Sequence, residues 1–307
     1  MATWTTKEIP NQFGKLAVIS GATGGLGLET ALSLAGAGAE VILAGRNLTK
    51  GRNAERLIRD RYKEAKVRFE MVDLASLASV ADFANRMLMA GRPIDILVNN
   101  AGLMALRKRE TTTDGFEMQF GTNYLSHFAL TARLLPLLKT AKARVVQLSS
   151  IAHRSGRIAL DDLNYKQGYK PFPVYSQSKL AMLMFAIELD RKSKAKGWGL
   201  TSVAAHPGFA KTDLVANGPA LGANALVRTA IPMMVGPLGH SAAAGALPTL
   251  MAATMSGVTG GQYFGPQGWN EFKGPPGPGK IEARASDPKI SAKLWTASEE
   301  MTGVAFE

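Results

Sequence analysis

The chain has 307 residues, 46% of them aliphatic or aromatic, with 32 Gly, 15 Pro and a net charge of +12. Apolar content at that level sustains a large core and excludes a disordered chain. The absence of cysteine excludes disulfides, thiolate metal sites and thiol nucleophiles, and it fits a reducing compartment.

In chain order, the opening stretch MATWTTKEIPNQFGK is polar, and no run of about 18 apolar residues follows it. A cytoplasmic chain with no signal peptide and no membrane anchor is expected. KLAVIS (Lys15–Ser20) is a buried-strand candidate, and GLGLETALSLAGAG continues it as a helix. EVILAG (Glu40–Gly45) is strand-like, and Asn47 is placed to cap a polar helix over Leu48–Tyr62. Between Arg46 and Arg68 nine Lys and Arg stand against three acids, half of the chain's excess charge in one helix-sized segment. Most of these residues read as a solvated helix face. No helix-turn-helix, zinc-finger or RNA-binding signature accompanies them, so no nucleic-acid partner is expected.

VRFEMVDL (Val67–Leu74), DILVNNAG (Asp95–Gly102), RVVQLSS (Arg144–Ser150) and LTSVAAHPG (Leu200–Gly208) continue the strand series, and GGQYFG (Gly260–Gly265) adds a last one. Helical stretches at Leu77–Met89, Phe116–Leu138 and Tyr175–Lys196 lie between them. Near-continuous apolar strands joined by helices predict an α/β fold, a Rossmann-type doubly wound parallel sheet covered on both faces. Residues 1–270 read as one catalytic domain, with a lid over about 214–237 that is rich in Gly, Pro and small apolar residues. FKGPPGPGK (Phe272–Lys280) reads as a linker-like turn opening a tail over 271–307.

SGATGGLG (Ser20–Gly27) follows the first strand and opens the first helix. Glycine at 21, 25 and 27 suits a tight turn whose backbone N–H groups approach a diphosphate at a helix N-terminus. The second strand ends in LAGRN, with Arg46 where a ribose-binding acid would stand, so the 2′-phosphate of NADP is the expected ligand.

Several ordered motifs from Lys15 to about Phe264 resemble the short-chain dehydrogenase/reductase family. They are SGATGGLG, VDL, NNAG, TNYLSHF, LSS, YSQSK and HPGFAKT. The long Ser150–Tyr175 gap, with GRN and SSIAH, looks most like its retinol-dehydrogenase-like and protochlorophyllide-reductase-like branch. The resemblance implies that Gly21, Thr23, Gly25, Leu26, Gly27 and Arg46 bind the cofactor and that Asp73 and Leu74 border its adenine. It implies further that Asn100, Ala101 and Gly102 line it, and that Pro207, Gly208 and Thr212 hold the nicotinamide end. Ser20 departs from the family's usual threonine but keeps the hydroxyl.

Tyr175 and Lys179 are four residues apart and share a helix face. A free tyrosine has a pKa of about 10, and an adjacent ammonium lowers it by favouring the phenolate. The resemblance makes Tyr175 the general acid/base and Lys179 its tuner and ribose ligand. It favours Ser150 over Ser149 as the donor to the substrate oxygen, and gives Asn123 a proton-relay water. His127, His153, His206 and His240 are scattered without metal-ligand spacing, so no metal is expected; His153 and His206 read as structural. The expected protein is an NADP(H)-dependent oxidoreductase of a small hydrophobic alcohol or carbonyl compound, a dimer or tetramer if it follows its family. Alternatives are a reductase of activated C=C bonds or quinones, and an NADPH-sensing protein without turnover.

Overall fold

Strand β1, Leu16–Ser20, is buried along its whole length, and its alternating side chains serve two cores. Leu16 and Val18 face one, Ala17 and Ile19 the other. A strand covered on both faces has no use for the polar alternation of a surface strand, which is why KLAVIS is apolar throughout. The computed structural model describes residues 4–210 and 239–307. Thr212 and the expected lid over 214–237 lie outside the described residues.

The strands that follow are β2 (Glu40–Gly45), β3 (Val67–Met71), β4 (Ile96–Asn99), β5 (Arg144–Leu148), β6 (Thr201–Ala205), β7 (Tyr263–Pro266) and β8 (Pro276–Pro278). They form one sheet in the order β3-β2-β1-β4-β5-β6-β7-β8. The first seven are parallel, and β8 runs antiparallel to β7. The chain thus travels outward from β1 to β3, then returns to β4 on the other side of β1. The loops leaving β1 and β4 diverge there and open a crevice at the strands' carboxyl ends.

Helices α1 (Gly25–Gly36), α2 (Leu48–Arg61), α3 (Leu77–Ala90), α4 (Met118–Phe120), α5 (Ser126–Ala141), α6 (Pro171–Lys196), α7 (Ala242–Thr254) and α8 (Pro288–Thr302) cover the sheet. Leu34 of α1, Ile58 of α2 and Leu250 of α7 close one core. Phe83 of α3, Phe128 of α5, Phe185 of α6 and Leu294 of α8 close the other. Asn47 caps α2 as expected, accepting from the Lys50 N–H. Two helices differ from expectation. The stretch expected over Phe116–Leu138 is interrupted by a π-helical turn, Gly121–Leu125, between α4 and α5. Helix α6 starts at Pro171 rather than Tyr175, because proline suits a first turn whose N–H groups need no helical partner. Tyr175 and Lys179 therefore sit inside the helix, and both are buried.

The boundary drawn at residue 271 is corrected by the packing. Residues 276–278 extend the sheet as β8, and α8 lays Trp295 against Phe128 and Phe185, with ring centroids 5.0 and 5.8 Å apart. Phe306 closes on the same group, 4.6 Å from Trp295. Proline and glycine made this stretch look like a linker, but an edge strand tolerates proline because one of its sides forms no ladder. Burying large rings adds roughly 1.5–3 kcal/mol each from area alone. Trp295→Ala is therefore expected to destabilise the whole protein by about 3–5 kcal/mol. Urea unfolding followed by far-UV circular dichroism checks this; a detached tail would leave the midpoint unchanged.

Candidate active site

The crevice between the β1 and β4 loops is a cleft of about 1100 Å³. Its glycine-rich wall follows from two close approaches. Gly21 has φ +68°, and a Cβ there would lie 2.9 Å from Ala101 Cα. A Cβ on Gly27 would come within 2.5 Å of the Gly21 carbonyl oxygen. Gly24 precedes helix α1 as its cap and offers no side chain, so the first N–H groups of the helix have no side-chain partner. The Asn100 amide braces this turn from the β4 side, donating to the Ser20 carbonyl at 2.8 Å. An uncapped helix start against a glycine wall fits the diphosphate of a dinucleotide.

Gly21, Thr23, Gly25, Leu26, Gly27, Arg46, Asp73, Leu74, Asn100, Ala101, Gly102, Pro207 and Gly208 all line this cleft. Arg46 follows β2, exposed at the cleft's edge beside Asn47 and Lys50. Asp73 spends one carboxylate oxygen on its own turn, accepting from the Ala75 N–H at 2.9 Å.

Ser150, Tyr175 and Lys179 meet at the far end of the same cleft. The Ser150 side chain lies against the Tyr175 hydroxyl closely enough to favour its ionised form. Ser149 is turned away and donates to the Lys179 carbonyl at 2.7 Å. Lys179 Nζ donates to the Leu148 carbonyl at 2.9 Å and lies 5.9 Å from the Tyr175 ring centre. Asn123 is buried in the π-turn. Its side chain accepts from the Leu103 N–H at 2.7 Å and donates to the Leu103 carbonyl and to Ser178 Oγ, each at 2.9 Å. A helix-borne asparagine thus becomes a buried clamp on the loop after β4.

The electrostatics differ from the expectation that Lys179 lowers Tyr175. Burial pushes the Tyr175 hydroxyl up to about 12, opposed by the neighbouring Ser150 side chain. Burial also pulls the Lys179 ammonium down to about 8. Loss of hydration disfavours the charged form of each group.

The family model for short chain dehydrogenases matches residues 15–220. The chain belongs to the short-chain dehydrogenase/reductase family. It is 39% identical to retinol dehydrogenase 13 of Mus musculus, over 95% of this chain and 85% of that one. It is 36% identical to the polyprenol dehydrogenase of Mus musculus, over 96% and 86%. A crystal structure of an uncharacterised protein from Mycobacterium paratuberculosis superposes with a TM-score of 0.82 at 38% identity, covering 100% of each chain. These relatives set it in the retinol-dehydrogenase-like branch of the family, whose members are oxidoreductases that bind NAD or NADP.

Short-chain dehydrogenase/reductase motifs point only to the shared end of the cleft. Leu103, Met104, Leu106, Ile151, Phe172, Phe209 and Phe272 give the remaining wall a large apolar share, interrupted by Glu110, Thr122 and Ser155. Phe209 lies within HPGFAKT, and a bulky exposed residue after Gly208 was a signal in plain view. Phe272 comes from the stretch read as a tail, so nothing local marked it. Arg154 also lines the cleft, its charge met by Glu271 at 2.8 Å. Among the described residues no helix is long and apolar enough to cross a membrane.

The buried lysine yields a pH signature. Between about pH 8 and the unfolded lysine's pKa of about 10.4, the folded state holds fewer protons than the unfolded chain. Lys179 thus contributes stability that is present above this window and is lost as pH falls through it. Lys179→Met removes that dependence. The stability difference between wild type and Lys179→Met, from urea unfolding of the cofactor-free proteins, is expected to move in favour of wild type as pH rises through the window.

Proposed function

We propose that this protein is an NADP(H)-dependent oxidoreductase that interconverts an apolar alcohol and its carbonyl compound. The observation that carries the reading is that Ser150, Tyr175 and Lys179 line the same cleft as the glycine-rich turn that fits a dinucleotide. Gly21, Thr23, Gly25, Leu26 and Gly27 hold the diphosphate. Asp73 and Leu74 border the adenine, and Asn100, Ala101, Gly102, Pro207 and Gly208 hold the remainder toward the nicotinamide. The cofactor, when bound, supplies or accepts the hydride.

Ser150 donates to the substrate oxygen and holds it against the Tyr175 hydroxyl. In the reducing direction Tyr175 gives its proton to that oxygen; in the oxidising direction it takes the proton back. A hydroxyl held at about 12 is protonated at neutral pH, the form the reducing direction needs, and little phenolate is present to act as base in the oxidising direction. Lys179 favours the phenolate while charged, and Asn123 holds the water that returns the proton. The apolar wall suits a chain without charges. Retinol and polyprenol, which name two relatives' activities, are both alcohols on apolar chains, and they support this substrate class.

Purified protein with NADPH and a panel of aldehydes, ketones, quinones and steroids tests the reading by loss of the reduced-nicotinamide absorbance. Turnover of apolar aldehydes or ketones is expected, and turnover of quinones alone would overturn it. Tyr175→Phe removes one hydroxyl and keeps the ring, so turnover should fall by roughly 10²–10⁴-fold while circular dichroism stays unchanged.

Cofactor choice rests on Arg46. Its guanidinium can fork onto phosphate oxygens, and charged hydrogen bonds contribute about 1.5–3 kcal/mol each. Arg46→Asp repels the 2′-phosphate and accepts from a 2′-hydroxyl. The ratio of kcat/KM with NADPH to that with NADH is expected to fall about tenfold or more; an unchanged ratio would assign the phosphate to Lys50 or another neighbour.

A further inference from the structure

Asn123 does not hold its place alone. A π-helical turn departs from regular α-helical hydrogen bonding, and such turns need support from their surroundings. Here the Ser126 N–H reaches back five residues to the Gly121 carbonyl. His127, the first turn of α5, is completely buried between this turn and the end of β1. Its Nδ1 lies 2.8 Å from the Asn123 carbonyl oxygen, and its Nε2 lies 2.8 Å from Ser20 Oγ.

These partners fix every proton. A carbonyl has none to give, so Nδ1 carries the ring hydrogen and donates to Asn123. Nε2 then offers a lone pair, and the Ser20 hydroxyl donates to it at 2.8 Å rather than to the Val98 carbonyl, which lies farther off at 3.5 Å. Ser20 Oγ is left to accept, and it receives the Asn100 N–H at 2.9 Å and the Ala101 N–H at 3.0 Å. The hydroxyl's one donor and two acceptor positions are all used. Burial pulls the ring's pKa down to about 4, so the neutral form that this network needs is the form present.

We propose that His127 is a positioning residue that ties the π-turn carrying Asn123 to the Ser20–Asn100–Ala101 edge of the cofactor cleft. It acts on proton transfer through Asn123, and so rests on the role given above to Asn123 and Tyr175. The tie is close to the chemistry. A Cβ on Gly102 would lie 3.2 Å from Asn123 Oδ1 and 3.4 Å from Lys179 Nζ, so both side chains abut one point of backbone. A shift of the π-turn changes that spacing directly. The tie also gives Ser20 its reason: a hydroxyl is required there, and a methyl group cannot join β1 to β4 and α5.

The test uses full-length protein with NADPH and the best apolar aldehyde of the panel. His127→Leu should lower kcat by about tenfold to a hundredfold, the scale of a misplaced catalytic group, with KM for NADPH nearly unchanged. Adding it to Asn123→Ala should cost nothing further, because both act through one residue. Ser20→Ala should reproduce the His127→Leu loss, and Ser20→Thr should restore turnover. If Asn123→Ala is slow while His127→Leu is silent or additive with it, the proposal fails alone. If Asn123→Ala is itself silent, the underlying reading fails as well. Nitrogen-15 spectra of histidine-labelled wild type with NADPH test the network without turnover and without a destabilised variant. They should contain a ring protonated at Nδ1 only, unchanged across neutral pH, whose Nε2 signal shifts in Ser20→Ala. That ring is assigned to His127 by its absence from the spectrum of His127→Leu; a His127 ring that instead carries its proton on Nε2 would overturn the proposal.

Discussion

Every residue of the site hangs on the gap between β1 and β4, where the chain reverses its travel across the sheet. Both strands are buried and parallel, so their carboxyl ends stop at one level and their loops turn opposite ways. Among the described residues, side chains and a few loop hydrogen bonds bridge the opening. The Ser20 hydroxyl is one such link, since it gathers the N–H groups of Asn100 and Ala101. The glycine turn on one side and the loop after Asn99 on the other are thereby held at a fixed separation, which sets the width of the cleft.

Around that gap the protein buries polar groups that are costly when unpaired, and it pairs them with backbone. All four histidines do this. His127 meets the Asn123 carbonyl, His153 the Ser150 carbonyl, His206 the Gly208 N–H and His240 the Pro207 carbonyl. Burial lowers the pKa of each, and a neutral imidazole can be donor on one nitrogen and acceptor on the other. His206 uses both: it accepts from Gly208 and donates to Glu271 at 2.8 Å. The same loss of hydration pulls Lys179 down and pushes Tyr175 up. Two groups that titrate almost together in water, near about 10, are pushed apart by one enclosure.

The end of the chain completes both the core and the site. Glu271 and Phe272 reach back to the loop after β6, where the Phe209 N–H donates to the Phe272 carbonyl at 2.7 Å. Farther on, Ser298 of α8 meets the Tyr124 hydroxyl at 2.8 Å, one residue from Asn123. The aromatic face of α5 and α6 is covered from within the chain by Trp295 and Phe306. The helix that closes the core thus also braces the π-turn.

The sequence alone determined the parallel sheet, because a strand buried on both faces must be apolar throughout, as in KLAVIS and EVILAG. It also determined the glycine turn, since only glycine permits the approach seen at Gly21 and Gly27, and the pairing of Tyr175 with Lys179, since four residues make one turn. Those constraints are local and leave a local trace. The role of the residues after 271 left none, because proline and glycine serve a linker and an edge strand equally. The charge states of Tyr175 and Lys179 depend on enclosure by distant elements, which no spacing encodes. His127 looked like a lone histidine on an apolar helix. Its partners stand 107 residues away at Ser20 and four away at Asn123, and only the folding of β1 against α5 brings that hydroxyl to that ring.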